Sequence, residues 1–236
     1  MVVGVPQNLH FLSKTMSDRL GTSAMILAVS CAVVMTALAI KREYGALADI
    51  SAKKPVLVTN WKELASGGHR TGDSAAAVTV VEIIDFECPF CSHFAKTTIP
   101  WLAERHAEKV SFVYRHLPLK GHANAYPAAR AAECAGEQGR FSQFASLLFA
   151  KQDSIGRRNY QSFARDADVP DLKAFELCNA LTTPVAAIER DIALAEAAGA
   201  NATPTVIVNG YRAHSPLALP LDSLIKRELA RHSSSH

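Results

Sequence analysis

The run VTVVEIIDF, residues 78 to 86, does most to limit what this chain can fold into. From Thr79 to Phe86 it is almost continuously apolar and β-branched. A strand with one wet face alternates apolar and polar residues; one without alternation suits a strand buried on both faces of a parallel or mixed sheet. This strand ends on DFECPFC, so a C-x-x-C formed by Cys88 and Cys91 sits just past its end.

The remaining periodicities build a sheet around that strand. Phe90, Phe94, Trp101 and Leu102 recur at near-helical spacing, and Pro100 is expected to kink or interrupt the helix. VSFVYRHLPL, 110 to 119, reads as a second strand. From about 123 to 200 the pattern is helical, with ARAAECAGEQ, then Phe141, Phe144 and Leu148, then Val185, Ile188, Ile192 and Ala195. TVIVNG, 205 to 210, is a third strand, Asn209-Gly210 suits a hairpin turn, and YRAH is its return. Leu221, Leu224, Ile225 and Leu229 mark a last amphipathic helix. The expected order is strand, helix, strand, helical block, hairpin, helix. Residues 41 to 78, with PVLVT, a lone Trp61 and SGGHRTGDS, read as a tether and lead-in to a domain over 79 to 232.

The 236 residues suffice for one sizeable domain plus a short extra segment. The 25 basic and 22 acidic residues leave a net charge of only +3 and form no basic run interleaved with aromatics, which excludes nucleic acid as a partner. No charge lies between Arg19 and Lys41. As a helix, residues 20 to 40 reach about 31 Å, roughly one bilayer core. Ala37-Leu38-Ala39 and Ala46-Leu47-Ala48 have the small-x-small form that signal peptidase accepts, so residues 1 to 40 are expected to be a signal peptide or a membrane anchor. Lys41, Arg42, Lys53 and Lys54 favour a cytoplasmic carboxyl side. The cysteine usage suits an oxidising compartment and outweighs them, so a periplasmic or other extracytoplasmic location is expected.

At a strand-to-helix junction, the first cysteine of a C-x-x-C meets unpaired helix N–H groups that favour a thiolate. Cys88 is then the nucleophile, and Cys91, one turn on, the thiol that resolves a mixed disulfide. Pro89 at an early helical position costs little. Two other readings compete. A zinc site needs four ligands, but there is no second C-x-x-C and His93 follows too closely, so no metal is expected. A purely structural staple closing so small a loop has limited entropic effect.

VTVVEIIDFECPFCSHF, FVYRHLPL, AARAAECAGEQGRF and ATPTVIVNG together resemble the DsbA-like branch of the thioredoxin superfamily, exported thiol:disulfide oxidoreductases, over about residues 60 to 230. The resemblance implies an α/β thioredoxin fold with a helical insertion, at about 121 to 200, between the central strands and the cis-Pro hairpin. It implies no cofactor, cysteine-containing or unfolded exported proteins as substrates, and a membrane redox partner. Cys88 and Cys91 match the redox pair, and Thr203-Pro204 matches a cis-proline turn that offers backbone to substrate. Glu82 falls where such folds keep a buried acid, which exchanges a proton with Cys91; a strand-edge Glu facing solvent is the other reading.

One position departs from the family. Strong oxidases of this branch carry His where this chain has Phe90, and Phe cannot donate a hydrogen bond to the thiolate. A potential below the extreme of about −120 mV is therefore expected. Phe86 and Phe90 flank the pair and read either as an apolar platform for substrate or as core. His116 and His122 match the family pattern as packing or capping residues. Relatives sometimes carry a second disulfide, which implies a bridge between Cys134 and Cys178; two small buried hydrophobes are the alternative. The direction of electron flow stays open between a disulfide donor and a membrane-tethered reductase or isomerase, with a non-enzymatic binding protein as a third reading.

Overall fold

The computed structural model describes residues 25, 28–42 and 55–234. The chain divides into two compact units, 1–52 and 53–236. In the first, residues 28–42 form helix α1, exposed along its length. Among the described residues no helix is long and apolar enough to cross a membrane. The anchor or signal expected over 1 to 40 falls largely outside the described residues.

The second unit holds a six-stranded sheet built from β1 (Val56–Leu57), β2 (His69–Thr71), β3 (Val78–Ile84), β4 (Val110–His116), β5 (Thr205–Val208) and β6 (Tyr211–Arg212) in the order β1-β6-β5-β3-β4-β2. β3 runs parallel to β4 and antiparallel to β5, so the unbroken apolar run lies at the centre, as its lack of alternation requires. Its two faces meet different partners. Val81 and Ile83 pack with Leu64, Val113, Ala195 and Ile207, while Val78 and Val80 pack with Phe94, Leu102, Leu221 and Ile225. Each such fully buried side chain contributes about 1.5–3 kcal/mol of transfer free energy.

The lead-in contributes more than a tether. Residues 53–78 belong to the same unit, and β1 and β2 supply both edges of the sheet. Between them α2 (Trp61–Ser66) brings Trp61 over the β5–β6 hairpin. Asn209 and Gly210 both have positive φ there, as a two-residue turn demands, and a Cβ on Gly210 would come 2.6 Å from the indole. Three-residue β2 lacks a hydrophobic pattern, which is why its sequence reads as loop.

After β3, α3 (Pro89–His93) passes through a π-turn at Phe94–Thr98 into α4 (Ile99–Arg105). The widened turn lies just ahead of Pro100 and takes up the missing hydrogen bond, so the helix continues through it. Between β4 and β5 stand α5 (Ala125–Gly136), α6 (Phe141–Ala150), α7 (Tyr160–Asp166), α8 (Leu172–Asn179) and α9 (Ala186–Ala197), followed after the hairpin by α10 (Ala218–Ser233). This is the α/β fold with a helical insertion that the sequence led one to expect. The insertion's core is Phe144, Leu148, Phe149, Phe163 and Phe175 against the alanines of α5.

Two cross-links tie the insertion together and to the sheet. A disulfide joins Cys134 of α5 to Cys178 of α8 with Cα atoms 5.8 Å apart. Buried Arg115 of β4 donates to Asp191 of α9 at 2.6 Å and to the carbonyls of Leu64 and Glu63, while Asp191 also accepts from the His116 amide. Every charge in that group is met, the condition under which a buried ion pair is tolerated.

Candidate active site

The β3-to-α3 turn places Cys88 as the cap residue of α3, in extended conformation, with Pro89 at the first helical position. The Ser92 amide donates to the Cys88 carbonyl at 3.1 Å, and the Ser92 hydroxyl pins the helix to the Phe149 carbonyl at 3.0 Å. Both sulfur-bearing residues are buried in the core shared by the sheet end and the insertion, Cys88 at 4% exposure and Cys91 at 0%. They are free thiols. The Thr203-Pro204 bond is cis, and the Cys88 thiol donates to the Thr203 carbonyl at 3.3 Å.

The two thiols have opposite acidity. A hydrogen bond from the Cys91 thiol, against the effect of burial and helped by Thr203 and by the Cys91 and Phe90 amides, pulls Cys88 down to about 5. Burial, and then the neighbouring Cys88 sulfur, push Cys91 far above the ordinary thiol range. At neutral pH the reduced site therefore holds one thiolate, on Cys88, and one thiol, on Cys91.

Glu82 lies in the middle of β3, between Tyr114 of β4 and Val206 of β5. Alternation puts it on the same face as Val80 and Ile84, and it is fully buried with no hydrogen-bond partner for either carboxyl oxygen. Of the two readings of Glu82, the buried one holds: a strand paired on both sides and covered on both faces leaves it no water. Burial pushes its pKa well above the usual carboxylate range, which favours the protonated carboxyl. Phe90 is 72% exposed, whereas Phe86 is core, its ring 5.0 Å from that of Phe149. Of the two aromatics, only Phe90 presents a surface to solvent.

Three neighbours of the pair have no local signal in the sequence. Gln152, after α6, donates to the carbonyls of Phe86 and Cys88 at 2.8 and 2.9 Å, from 64 residues beyond Cys88. Tyr114 has its hydroxyl pKa pushed up by burial, and next by electrostatic coupling to Glu82 and Cys91 whenever these ionise. Asp85, buried, accepts from the Glu87 and Leu119 amides and from Nδ1 of His122 at 2.7 Å. That carboxylate raises the His122 pKa, against partial burial, and the Cys88 charge adds to the effect. A groove of about 610 Å³ opens beside His122 and extends to Ala200 and Asn201, ahead of the cis-proline.

A family model described as Thioredoxin (Thioredoxin_4) matches residues 65–226. The chain belongs to the thioredoxin family. Its fold is DsbA-like: BdbD from Bacillus subtilis superposes with a TM-score of 0.65 at 22% identity, covering 75% of this chain and 98% of that one. A thioredoxin-like oxidoreductase from Silicibacter pomeroyi gives 0.60 at 25% identity, covering 75% and 99%. A protein named Na(+)/H(+) antiporter NhaA 3, from Salinispora tropica, is 38% identical over 149 residues, which is 63% of this chain and 22% of that protein. The NhaA of Herminiimonas arsenicoxydans is 35% identical over 146 residues, again 22% of its length. The chain thus spans about a fifth of the length of these curated relatives. Within this fold the C-x-x-C at the head of α3 pairs one readily ionised sulfur with one held protonated, the arrangement that thiol–disulfide exchange uses.

Proposed function

We propose that the protein works outside the cytoplasm as a disulfide donor to cysteine-containing exported proteins and is reoxidised by a membrane partner. The observation that carries this reading is the lowered pKa of Cys88. A thiolate stabilised in the folded protein favours the reduced state of the pair, and that makes the oxidised pair the stronger oxidant.

The steps are as follows. A client thiolate attacks the Cys88 sulfur of the oxidised pair. The Cys88–Cys91 bond breaks, a client–Cys88 bond forms, and the electron pair leaves on Cys91, which takes a proton. Glu82, a buried carboxyl of β3 whose pKa burial raises, is the proton source in this reading, and Tyr114, its neighbour across the sheet, is coupled to both Glu82 and Cys91. A second client thiolate then attacks the client sulfur of the mixed disulfide, and Cys88 leaves as its stable thiolate. The client has lost two electrons and the enzyme pair has gained them.

The Thr203 hydroxyl is buried without a hydrogen-bond partner, and it is the group able to donate to Cys88 once the sulfur is a thiolate and no longer donates to the carbonyl. The cis-Pro204 turn, exposed Phe90 and the adjoining groove are the surfaces for the client's extended backbone and apolar side chains. Residues 1 to 40 serve as the export signal or anchor, and the thioredoxin-like unit, with the 79 to 232 segment at its centre, as the catalytic domain.

Equilibration of the pair with glutathione tests the reading. A potential well above about −270 mV, yet below about −120 mV because Phe90 replaces a thiolate-binding histidine, supports a donor. A value near or below about −270 mV means a reductase fed with electrons across the membrane.

A further inference from the structure

Away from the thiol pair, three side chains from separate parts of the chain converge: His69 of β2, His116 at the end of β4 and Glu133 of α5. Their donor atoms all lie within 4.8 Å of one another. Nε2 of His69 is 2.6 Å, and Nε2 of His116 2.8 Å, from the same oxygen, Oε1 of Glu133. The other oxygen, Oε2, makes no hydrogen bond among the described residues.

The cluster is rigidly supported. The His69 ring stacks on Phe141, centroids 3.4 Å apart and planes 4° from parallel, and Phe141 meets the His116 ring edge-on at 5.7 Å. On the other side His69 passes so close to Gly136 that a Cβ there would come 2.8 Å from its Cε1. Absence of a side chain at 136 is thus a condition for the placement of His69. His116 is buried, at 2% side-chain exposure, while Glu133 at 16% and His69 at 26% leave one side open to solvent.

We propose that His69, His116 and Glu133 bind one zinc-like divalent cation. Two imidazole nitrogens and a carboxylate oxygen suit borderline transition-metal ions; calcium and magnesium prefer oxygen throughout. Tetrahedral zinc with bonds of about 2.0–2.1 Å sets neighbouring donors about 3.3 Å apart. The two Nε2–Oε1 contacts need to open by less than about 1 Å, and the two Nε2 atoms, within 4.8 Å of each other, to close by about 1.5 Å or less, changes that side-chain torsions supply. Coordination through Nε2 leaves Nδ1 of each imidazole to carry the ring proton. Water fills the fourth position from the open side. The ion clamps the edge strand β2 and the insertion helix α5 onto the end of β4.

The test uses the full chain with the Cys88–Cys91 pair oxidised and the exposed Cys31 alkylated, so that no thiol can hold the probe. Titration with cobalt(II) alone is expected to saturate at one equivalent with the visible bands of a tetrahedral site, displaced by zinc, and zinc is expected to raise Tm in a concentration-dependent way. His69→Gln and Glu133→Gln are each expected to weaken binding about 10-fold or more. His93→Gln, at an exposed histidine outside the cluster, should leave it unchanged. Should His116→Gln fail to fold, partly exposed His69 still decides the matter. A wild-type titration without a one-equivalent phase, or one unaffected by His69→Gln and Glu133→Gln, overturns the site.

Discussion

The protein carries two cysteine pairs that could hardly be more different in surroundings. Cys134 and Cys178 lie 44 positions apart on two helices of the insertion and are joined. Cys88 and Cys91 lie one helical turn apart beside a cis-proline and are free thiols. Closing a 44-residue separation restricts the unfolded chain by about 4 kcal/mol in the chain-entropy model, whereas the short loop of the C-x-x-C gains far less. What the short pair has instead is asymmetry: one sulfur held near pKa 5 by hydrogen bonds, the other held protonated by burial. Loop length makes one pair a brace, and unequal electrostatics make the other a reactant.

The sharpest way to break this contrast is to remove one sulfur from each pair. Cys88→Ser is expected to abolish disulfide exchange, and Cys91→Ser to accumulate client mixed disulfides on non-reducing gels. Full activity in Cys88→Ser would sink the mechanism. The double variant Cys134→Ala, Cys178→Ala should instead keep exchange while losing about 4 kcal/mol or somewhat less in denaturant unfolding. If exchange falls along with stability, the brace is part of the reactive site.

Acidity sharpens the comparison further. Alkylation of the reduced Cys88 should rise with pH through a midpoint near 5 and stay flat above it. Since this folded pKa lies below that of an unfolded thiol, the thiolate stabilises the reduced protein fully above the unfolded pKa of about 8.5, and that stabilisation is lost as pH falls towards 5. The oxidised protein, whose sulfurs do not titrate, should lack this dependence. Reduced and oxidised unfolding curves that run parallel between pH 5 and 9 would contradict it.

Two smaller effects follow. Glu82→Gln removes the buried acid at nearly constant volume and should slow exchange about 100-fold, with a changed pH–rate profile and an unchanged Cys88 midpoint. A variant that loses stability but not rate would assign Glu82 to packing alone. His122→Gln, which removes a cation held by Asp85 in the field of Cys88, should raise the Cys88 midpoint by less than about one unit. No movement would mean that the helix amides and the Cys91 thiol suffice.

How much was legible beforehand varies with the range of the interaction. The unbroken apolar run at 79 to 86 announced a central strand, the helical spacing of Phe141, Phe144 and Leu148 announced the insertion, and Asn209-Gly210 announced the hairpin. The lead-in was harder to read, because β1 and β2 are two and three residues long and owe their conformation to neighbours in the sheet. His69 sat inside that Gly-rich stretch without any signal that it stacks on Phe141. Gln152, likewise, carries no mark of its contact with the Cys88 carbonyl.

By itself, then, the sequence determined the central strands, the helical insertion, the hairpin and their order, and the chemistry at residues 88 and 91, because hydrophobic periodicity, turn residues and a C-x-x-C act over a few positions. Tertiary structure alone decided how far the two thiol acidities part, that Glu82 is buried without a hydrogen-bond partner, and that two histidines share one carboxylate oxygen. Each of these depends on burial and on groups tens of residues apart, where local pattern carries no information and desolvation and packing set the outcome.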